Sequence, residues 1–539
     1  MIYLFFALSL TTPILLLIPK TFHRPLNQGA IILLILTLVL TYIPKIENKI
    51  KLEFKNIEIF LIISTLVFII STFFHAVQIT SEFANQLLFQ DADYIGISDI
   101  FLSIWDGRGF TSSYYSEDGE SSFLKHHFSP GLVFASPIVS LFPNRLGLTF
   151  LSFFCYQLTV IFWLLWAYSI FKKDKEKYST KFILFWICIL NQPYLYRIGV
   201  SYHFETLIPI FSILFFISFE FSRTQTKKNQ KNFHLLMLVC FGFFLSVKED
   251  LTIYAALFFV PVFFYEFRKT KKIEIIWYWV FGTIICWFLL AFVLYPFFTN
   301  DGKTLFWQTE LTKDYGPNYK LNKGFYSQTK VFIEFMISMG IGVLYFIPYT
   351  IGIFFVYLTH VFSNRPWHHE IYSYYSYSMI PYLLYSSILW IKSNVSIGLR
   401  FLLISLLLIF YKNSLDSNFP IQLKQNEQIP LELSTKLQNE ILLWQTNSEL
   451  PKIAYTQYNL GFFISKSIRI KPINLYHDQC KKANECYIIV APEATNEAIW
   501  PKTKFYSLEE DIKTNFNGKL IWEGELLHIW KVKKYFGIL

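Results

Sequence analysis

The sequence is poor in charged residues. Only 16% of its 539 residues are Asp, Glu, Lys or Arg, whereas 53% are hydrophobic and 20% are aromatic. Soluble domains carry about 25% charged residues, so this composition does not fit an ordinary soluble domain. Apolar runs near twenty residues recur along the chain. They predict a mostly α-helical, polytopic membrane protein.

Cysteine is also scarce, with six residues in the whole chain. Four of them lie inside apolar runs, where small packing residues are expected: Cys155, Cys188, Cys240 and Cys286. Cys480 and Cys486 lie in the polar C-terminal region, at a spacing too wide for a CxxC redox motif and without a second pair for zinc. If this region lies outside the cytoplasm, the two are candidates for a disulfide.

The familiar catalytic motifs are missing as well. No GxxxxGK[ST], GxGxxG, HExxH or GxSxG motif stands where its chemistry would need it. The first apolar run lacks the basic segment and cleavage site of a signal peptide, so we expect it to be a retained span. The net charge of +10 is divided among short lysine runs between apolar segments. This pattern fits membrane orientation better than a nucleic-acid-binding face, and we expect no nucleic acid partner.

The hydropathy pattern predicts about thirteen spans. They cover residues 2–18, 29–43, 57–77, 146–171, 182–196, 206–221, 233–247, 251–267, 275–298, 331–346, 349–362, 377–391 and 397–411. Lysine-rich loops, taken as cytoplasmic, place the N-terminus inside and the C-terminus outside. The expected location is the inner (cytoplasmic) membrane.

The chain is predicted to have two domains. Residues 1–411 form the multispanning domain, with a large outer loop at 79–145. Residues 412–539 are polar and contain extended runs, KIAYTQY and CYIIVAP, and the probable hairpin KLIWEGELLHIWKV with its turn at Glu523 and Gly524. These runs predict an extracytoplasmic α/β domain.

Ionisable residues crowd the stretch from residue 91 to residue 130, between two apolar runs. Such groups cost roughly 2.5–3.5 kcal/mol each at the centre of a bilayer, so the stretch must face water or a polar cavity. Its acidic residues and histidines are Asp91, Asp93, Asp99, Asp106, Glu117, Asp118, Glu120, His126 and His127.

Asp93 is a candidate general base for an acceptor hydroxyl, and the alternative is a solvated loop or a helix cap. His127, next to Lys125 and His126, is a candidate phosphate contact. The motifs HFE at 203–205 and KED at 248–250 place charge at helix ends, where function is the default interpretation. An internal ion pair among Lys248, Glu249 and His203 is the alternative. Consecutive spacing makes His368, His369 and Glu370 poor joint metal ligands.

At these residues the sequence resembles a family of predicted prokaryotic membrane proteins, domain of unknown function 2079. Phe204 stands where the family usually has proline, and Ser98 and Asp99 stand where it often has glutamine. The matching pieces are DYIGI at 93–97, Trp105, Gly109, HFSP at 127–130, Pro137, Pro143, Gln157, HFE at 203–205, KED at 248–250 and residues 374–381.

The family in turn looks like the GT-C superfamily of multispanning glycosyltransferases. The resemblance implies a polyprenyl-phosphate sugar donor, a lipid or cell-envelope acceptor and contact with membrane lipids. It implies Asp93 as the catalytic base and a set of substrate contacts: His127, His203, Glu205, Lys248 and Tyr374. No cofactor is required by any motif, and a divalent cation stays open. A transporter or lipid flippase and a non-catalytic envelope scaffold are the alternatives.

Overall fold

The computed structural model describes residues 2–18, 20–40, 57–85, 92–112, 114–115, 122–142, 145–171, 179–224, 227–299, 347–361, 363, 377–393, 397–415, 430–481, 484–494 and 502–533. These residues pack into two compact units. The first unit consists of Met1–Ala76, His127–Gly131 and Ser152–Ile421. The second unit consists of Val77–His126, Leu132–Leu151 and Gln422–Leu539.

Helices dominate the region before residue 416. They are α1 (Ile2–Leu15), α2 (His23–Leu40), α3 (Ile57–Asn85), α4 (Ala92–Trp105), α5 (Ser136–Ser140), α6 (Gly147–Phe171), α7 (Ser179–Leu190), α8 (Pro193–Val200), α9 (Leu207–Thr224), α10 (Lys227–Leu245), α11 (Leu251–Thr270), α12 (Ile275–Leu289), α13 (Tyr295–Thr299), α14 (Ile347–Val361), α15 (Ile380–Ser393) and α16 (Ile397–Leu415). Each predicted span coincides with one or two of these helices, except residues 331–346, which lie outside the described residues.

Six helical stretches among the described residues are long and apolar enough to cross a membrane. They are Ile59–Glu82, Gly147–Phe171, Phe182–Val200, Phe204–Arg223, Leu251–Thr270 and Ile275–Thr299. The other predicted spans correspond to shorter helices or to residues outside the description, so the count of thirteen stays a prediction.

Aromatic side chains fill the core of the first unit, where α9 and α10 form a helical hairpin. The Phe215 and Phe241 rings stack across this hairpin with centroids 4.2 Å apart. Phe216 stacks on Tyr385 of α15 at 4.3 Å. Stacked pairs of this kind add stability beyond the apolar area that they bury. The high aromatic content therefore serves the interior of the bundle as well as its membrane face.

One helical path is broken between α7 and α8. Pro193 begins α8, and a proline is favoured at the first position of a helix because its missing N–H leaves no donor unsatisfied. Asn191 fills the break: its Nδ2 donates to the Leu8 carbonyl (3.1 Å), and its Oδ1 accepts from the Thr12 N–H (2.9 Å). The break is thus closed by hydrogen bonds to α1.

The predicted outer loop at 79–145 contains regular structure of its own. Helix α4 lies within it, and Ile95, Ile97 and Phe101 are buried there. Arg145 is also fully buried, and its guanidinium donates to three carbonyl groups of the C-terminal region: Gly461 (3.0 Å), Ile464 (2.9 Å) and Ile468 (3.3 Å). Arg145 thus connects this part of the loop directly with the C-terminal region.

The C-terminal region contains a five-stranded sheet and three helices. Their bounds are α17 (Leu431–Asn447), β1 (Ile453–Thr456), β2 (Arg469–Pro472), α18 (Tyr476–Cys480), β3 (Glu485–Val490), α19 (Lys502–Asn515), β4 (Lys519–Glu523) and β5 (His528–Lys533). The strand order is β2-β1-β3-β5-β4, in which β1 runs parallel to β2 and β3 and the other pairs are antiparallel. Helices α17 and α19 precede and follow the parallel part, and α18 is a short helix between β2 and β3. The predicted α/β content is confirmed.

The predicted hairpin is present, but its turn is wider than expected. Glu523 pairs with His528, so the connection runs from Gly524 to Leu527 rather than through Glu523 and Gly524 alone. Glu440 of α17 explains the difference, because its carboxylate accepts from the N–H groups of Leu526 (3.0 Å) and Leu527 (2.9 Å). This side chain replaces the hydrogen bonds that a tighter turn would make.

Cys480 and Cys486 form the sulfur pair of this region. Their Cα atoms are 5.5 Å apart, and the two sulfur atoms lie within bonding distance. Disulfides require Cα separations of about 4.4–6.8 Å. The geometry permits the predicted disulfide, and the oxidation of the two thiols to this disulfide in the cell stays a prediction.

Candidate functional site

The segment His127–Gly131 places the predicted site histidine in the first unit. The Gly131 N–H donates to the carbonyl oxygen of Ser246 (2.8 Å), at the end of α10. A Cβ atom at Gly131 would lie 2.9 Å from the same oxygen. Glycine is therefore needed at 131, and this close approach holds His127 beside the connection between α10 and α11.

Two further connections supply the remaining residues. The connection between α8 and α9 carries His203 and Glu205, and the connection between α10 and α11 carries Lys248–Asp250. Tyr202 precedes His203 with a left-handed φ of 54°. Such a conformation costs a non-glycine residue about 1–3 kcal/mol and often marks a functional site. The strained residue turns the chain into the 203–205 motif.

The three segments form what we call the ionic cluster. Its members are His127, His203, Glu205, Lys248, Glu249 and Asp250. The four cluster residues that the sequence predicted as substrate contacts are thus brought together in the first unit.

Glu249 organises one half of the ionic cluster. Its Oε1 accepts from Nδ1 of His127 (2.9 Å), and its Oε2 accepts from the backbone N–H of Phe128 (3.0 Å). The Glu249 side chain is only 4% exposed, whereas that of His127 is 26% exposed. The carboxylate therefore orients the imidazole of His127, whose side chain is the more exposed of the two.

Lys248 organises the other half. Its Nζ lies 3.3 Å from Glu205 Oε1 and 3.7 Å from Asp250 Oδ2, and its side chain is 7% exposed. His203 Nδ1 lies 3.9 Å from the second oxygen of Glu205. A buried cation between carboxylates avoids the large cost of burying an isolated charge. An internal ion pair of Lys248 is therefore present, but with Glu205 and Asp250 as its partners, whereas Glu249 pairs with His127 and His203 lies near Glu205.

Glu249 and Asp250, which follow Lys248 in the chain, have carboxyl groups with opposite pKa shifts. Burial favours a higher pKa for Glu249, but the charge and hydrogen bond of His127, with Lys248, outweigh it and lower the pKa. Burial raises the pKa of Asp250 to about 6, with Lys248 opposing the shift. Of these two carboxyl groups, Asp250 is therefore the one whose charge changes near pH 6.

Asp93 lies in the second unit, in the first turn of α4. The hydroxyl of Tyr115 donates to Asp93 Oδ1 (3.0 Å). The helix N-terminus and this hydrogen bond both favour a negative charge on the carboxylate. Gly96 permits the arrangement, because a Cβ atom there would lie 2.7 Å from the Tyr115 ring. The glycine of the DYIGI motif thus has a local structural reason.

Other predicted residues have structural roles or lie outside the description. Gln157 donates to the Ile69 carbonyl (3.1 Å) and to the Thr72 hydroxyl (2.7 Å), which ties α6 to α3. Asp99 is buried and lies in the electrostatic field of Arg145. Tyr374, His368, His369 and Glu370 lie outside the described residues. Within the described part of the chain, His, Cys, Asp and Glu form no group that could hold a metal ion.

Sequence reasoning missed the partners that fix these residues. Tyr115, Phe128 and Arg145 had no assigned role, although each directly contacts a predicted motif or the C-terminal region. Glu249 and His127 are separated by 122 positions in the sequence. No local pattern reports such a pairing, although the acidic KED motif was a signal that a cation should lie nearby.

The fold and the ionic cluster define a helical membrane protein with an ionisable site at the ends of its helices. A family model described as a predicted membrane protein, domain of unknown function 2079, matches residues 96–455, so the chain belongs to this family. The match begins after Asp93. It includes five predicted site residues: His127, His203, Glu205, Lys248 and Tyr374.

Solved structures with weak overall similarity include two of ArnT from Cupriavidus metallidurans. The structure bound to undecaprenyl phosphate has a TM-score of 0.48 at 9% identity and covers 84% of this chain and 97% of that chain. The apo structure has a TM-score of 0.44 at 8% identity and covers 83% and 95%. A search of curated proteins gives no significant match.

Proposed function

We propose that the protein is a membrane glycosyltransferase that moves a sugar from a polyprenyl-phosphate donor to a lipid or cell-envelope acceptor. The observation that carries the proposal is the ionic cluster at the helix ends, with Lys248 buried between Glu205 and Asp250. Charged groups forced this close to hydrocarbon are functional by default. The resemblance of the family to GT-C glycosyltransferases supports a polyprenyl-phosphate sugar as the donor that binds at such a site.

Lys248 and His127 are assigned to the donor phosphate. Lys248 makes a 3.3 Å contact with Glu205 and a looser 3.7 Å contact with Asp250. A phosphate oxygen can replace Asp250 as the second partner of the ammonium group, most easily when Asp250 is protonated. Both cationic groups would then stabilise the negative charge that grows on the phosphate as the sugar leaves.

Asp93 is assigned as the base. It takes the proton from the acceptor hydroxyl while the acceptor oxygen forms a bond to the anomeric carbon of the sugar. The bond between that carbon and the phosphate oxygen of the donor breaks in the same step. Polyprenyl phosphate is the leaving group, and the anomeric configuration inverts. The assignment requires Asp93 and the ionic cluster to face one substrate.

The position of the charges favours an enzyme over a transporter. Transporters place ion and substrate sites near the middle of the membrane, where helices are discontinuous. In the described candidate spans the Asp, Glu, Lys and Arg residues lie near the helix ends: Glu82, Arg197, Glu205, Glu220, Arg223, Glu266, Arg268 and Lys269. The break at Asn191 is filled by hydrogen bonds to α1, so it offers no exposed carbonyl cage of the transporter type.

The test is sugar transfer by the full chain in liposomes, with a panel of polyprenyl-phosphate sugars carrying a labelled sugar. Asp93→Asn should lower transfer by about 10²–10⁴-fold because it removes the base and keeps the shape. Asp106→Asn is the matched control, since that carboxylate is 47% exposed and forms its ion pair with the nearby Arg108. It should leave transfer unchanged.

Lys248→Gln tests the donor site separately. It should weaken donor binding more than it slows the chemical step, whereas the exposed Lys272→Gln should do neither. Comparing the amounts of folded protein in the membrane separates loss of binding from loss of structure. Full transfer by Asp93→Asn, or lipid movement across the bilayer with no turnover of any donor, would overturn the proposal.

A further inference from the structure

Helices α10 and α12 leave an apolar groove on the first unit, which we call the α10–α12 groove. Its larger part has a volume of about 760 Å³, and an adjoining part of about 510 Å³ shares Leu238, Ile275 and Trp279 with it. The outer wall is formed by the exposed face of α12, on which Tyr278 is 64% exposed and Trp279 is 43% exposed. A groove of this size can take a lipid chain.

The adjoining part of the groove has a polar end. Gln230, Lys231, Asn232 and His234 line it. His234 is 9% exposed, and its Nε2 has no hydrogen-bond partner among the described residues. No Asp or Glu belongs to the described lining of either part. Ammonium, amide and imidazole groups without a carboxylate fit an anion.

The polar end and the ionic cluster lie at opposite ends of α10. Helix α10 begins at Lys227 and ends at Leu245, just before Lys248. The lysine-rich start of α10 belongs to a loop that the positive-inside rule assigns to the cytoplasm. An anion at this end would therefore lie in the opposite leaflet from the ionic cluster, so it is not the proposed sugar donor.

We propose that the α10–α12 groove binds an anionic phospholipid. Lys231 and His234 contact the head-group phosphate, and an acyl chain runs along Trp279 and Gly282 toward Trp287. Basic pockets between membrane helices on the cytoplasmic side bind such head groups. This lipid is not a substrate of the proposed transfer reaction.

The groove also reaches the back of the ionic cluster. Trp287, in its lining, packs against Phe128 with ring centroids 6.1 Å apart. The Phe128 N–H donates to Glu249. A lipid chain in the groove therefore supports the aromatic contact behind that carboxylate.

The experiment is native mass spectrometry of the delipidated full chain in detergent, titrated with dioleoyl phosphatidylglycerol or dioleoyl phosphatidylcholine. The two lipids have identical chains and differ in head-group charge. The native protein should bind phosphatidylglycerol at least about fivefold more tightly than phosphatidylcholine. A difference of this size corresponds to the attraction of one lysine to an anionic head group. Lys231→Gln should remove most of this preference, and Lys231→Arg should keep it.

Two glycine variants test the groove itself. Neither Gly282 nor Gly242 has an atom within 4 Å of an added Cβ, so a side chain can start from both positions without a clash at the Cβ atom. Gly282 lines the groove, whereas Gly242, on α10, is not among its lining residues. Gly282→Leu should lower the binding of both lipids, and Gly242→Leu should not. Equal affinities of the native protein for the two lipids, or unchanged binding by Gly282→Leu, would overturn the proposal.

Discussion

Asp93 depends on two neighbours that its own motif does not announce. Tyr115 supplies the hydroxyl that contacts the carboxylate, and Gly96 provides the space that the tyrosine ring occupies. Ser112 adds a further tie, because its hydroxyl donates to the Gly96 carbonyl (3.1 Å). At the scale of the residue, the candidate base is positioned by a small packed arrangement around the start of α4.

Gly96→Ala tests this arrangement. The added methyl would lie 2.7 Å from the Tyr115 ring, which must move and take its hydroxyl away from Asp93. A displacement near 1 Å can cost about 10²-fold in rate, so we expect transfer to fall by roughly that factor. Tyr115→Phe should give part of the loss, and Gly29→Ala, which has open space, should give none. Native activity in Gly96→Ala would show that Tyr115 does not position the base.

Asp250 predicts how donor binding depends on pH. Its carboxyl has a pKa raised to about 6, so it is neutral below that pH and negative above it. A negative Asp250 competes with the donor for Lys248, hence binding of a phosphodiester donor should strengthen as pH falls through 6. A diester keeps its single charge over this range.

The matched measurement is donor affinity from pH 5 to pH 8 for native protein and Asp250→Asn. The variant should bind at pH 8 nearly as tightly as native protein binds at pH 5, with a flatter profile. An unchanged profile in Asp250→Asn would show that the Asp250 carboxyl is not the group that controls donor binding.

At the scale of the element, the sequence predicted the helices better than their contacts. Apolar runs located α6, α9 and α11 because hydrophobic length alone determines a membrane helix. Helix α4 was missed, since its polar neighbours Asp91 and Asp106 made the whole stretch read as a loop. Extended runs in the sequence predicted β3 and the β4–β5 hairpin. The width of the hairpin turn depends on Glu440, which is distant in sequence and could not be predicted as its partner.

The site could be predicted only in part for the same reason. Charged residues next to apolar runs identified Glu205 and Lys248, because burying charge is costly enough to stand out in the sequence. Their pairing could not be predicted, since the two residues lie 43 positions apart and meet only when α9 packs on α10. Tyr202 carried no signal, because backbone strain depends on the folded path and not on residue type.

Arg145 joins the elements of the second unit. Its planar guanidinium reaches three carbonyl groups of the C-terminal region at once, which the single ammonium of lysine cannot reproduce. Arg145→Lys should therefore destabilise the docking of this region by about 2–3 kcal/mol, because hydrogen bonds from a charged donor are lost and such bonds contribute about this much. Limited proteolysis of the full chain in membranes should release the C-terminal region faster. The control Arg108→Lys, at a 34% exposed side chain, should not change the rate.

At the scale of the whole molecule, the account requires one orientation. Arg145 connects the loop after α4 with the C-terminal region, so we expect both to lie on the same side of the membrane. The positive-inside rule predicts the lysine-rich loops on the other side. Alkaline phosphatase fusions should therefore be inactive at residue 175 and active at residue 424. Equal activity at both positions would contradict the orientation.

Thiol labelling provides an independent readout of the same orientation. An oxidising compartment would join Cys480 and Cys486, so maleimide should label them only after reduction. The variant Cys480→Ser, Cys486→Ser separates this signal from that of the four other cysteines, of which Cys286 is exposed. Labelling of both thiols in intact, unreduced cells would place the region in a reducing compartment.

The central claim is that Asp93 and the ionic cluster serve a single lipid-phosphate site. The most direct measurement is a cryo-electron microscopy structure of the full chain with a bound polyprenyl phosphate. We predict density for the phosphate within hydrogen-bond distance of Lys248 and His127, with the Asp93 carboxylate facing the same cavity. A phosphate bound away from both cations, or an Asp93 more than about 20 Å from it with no cavity between them, would exclude proton transfer within one site and contradict the account.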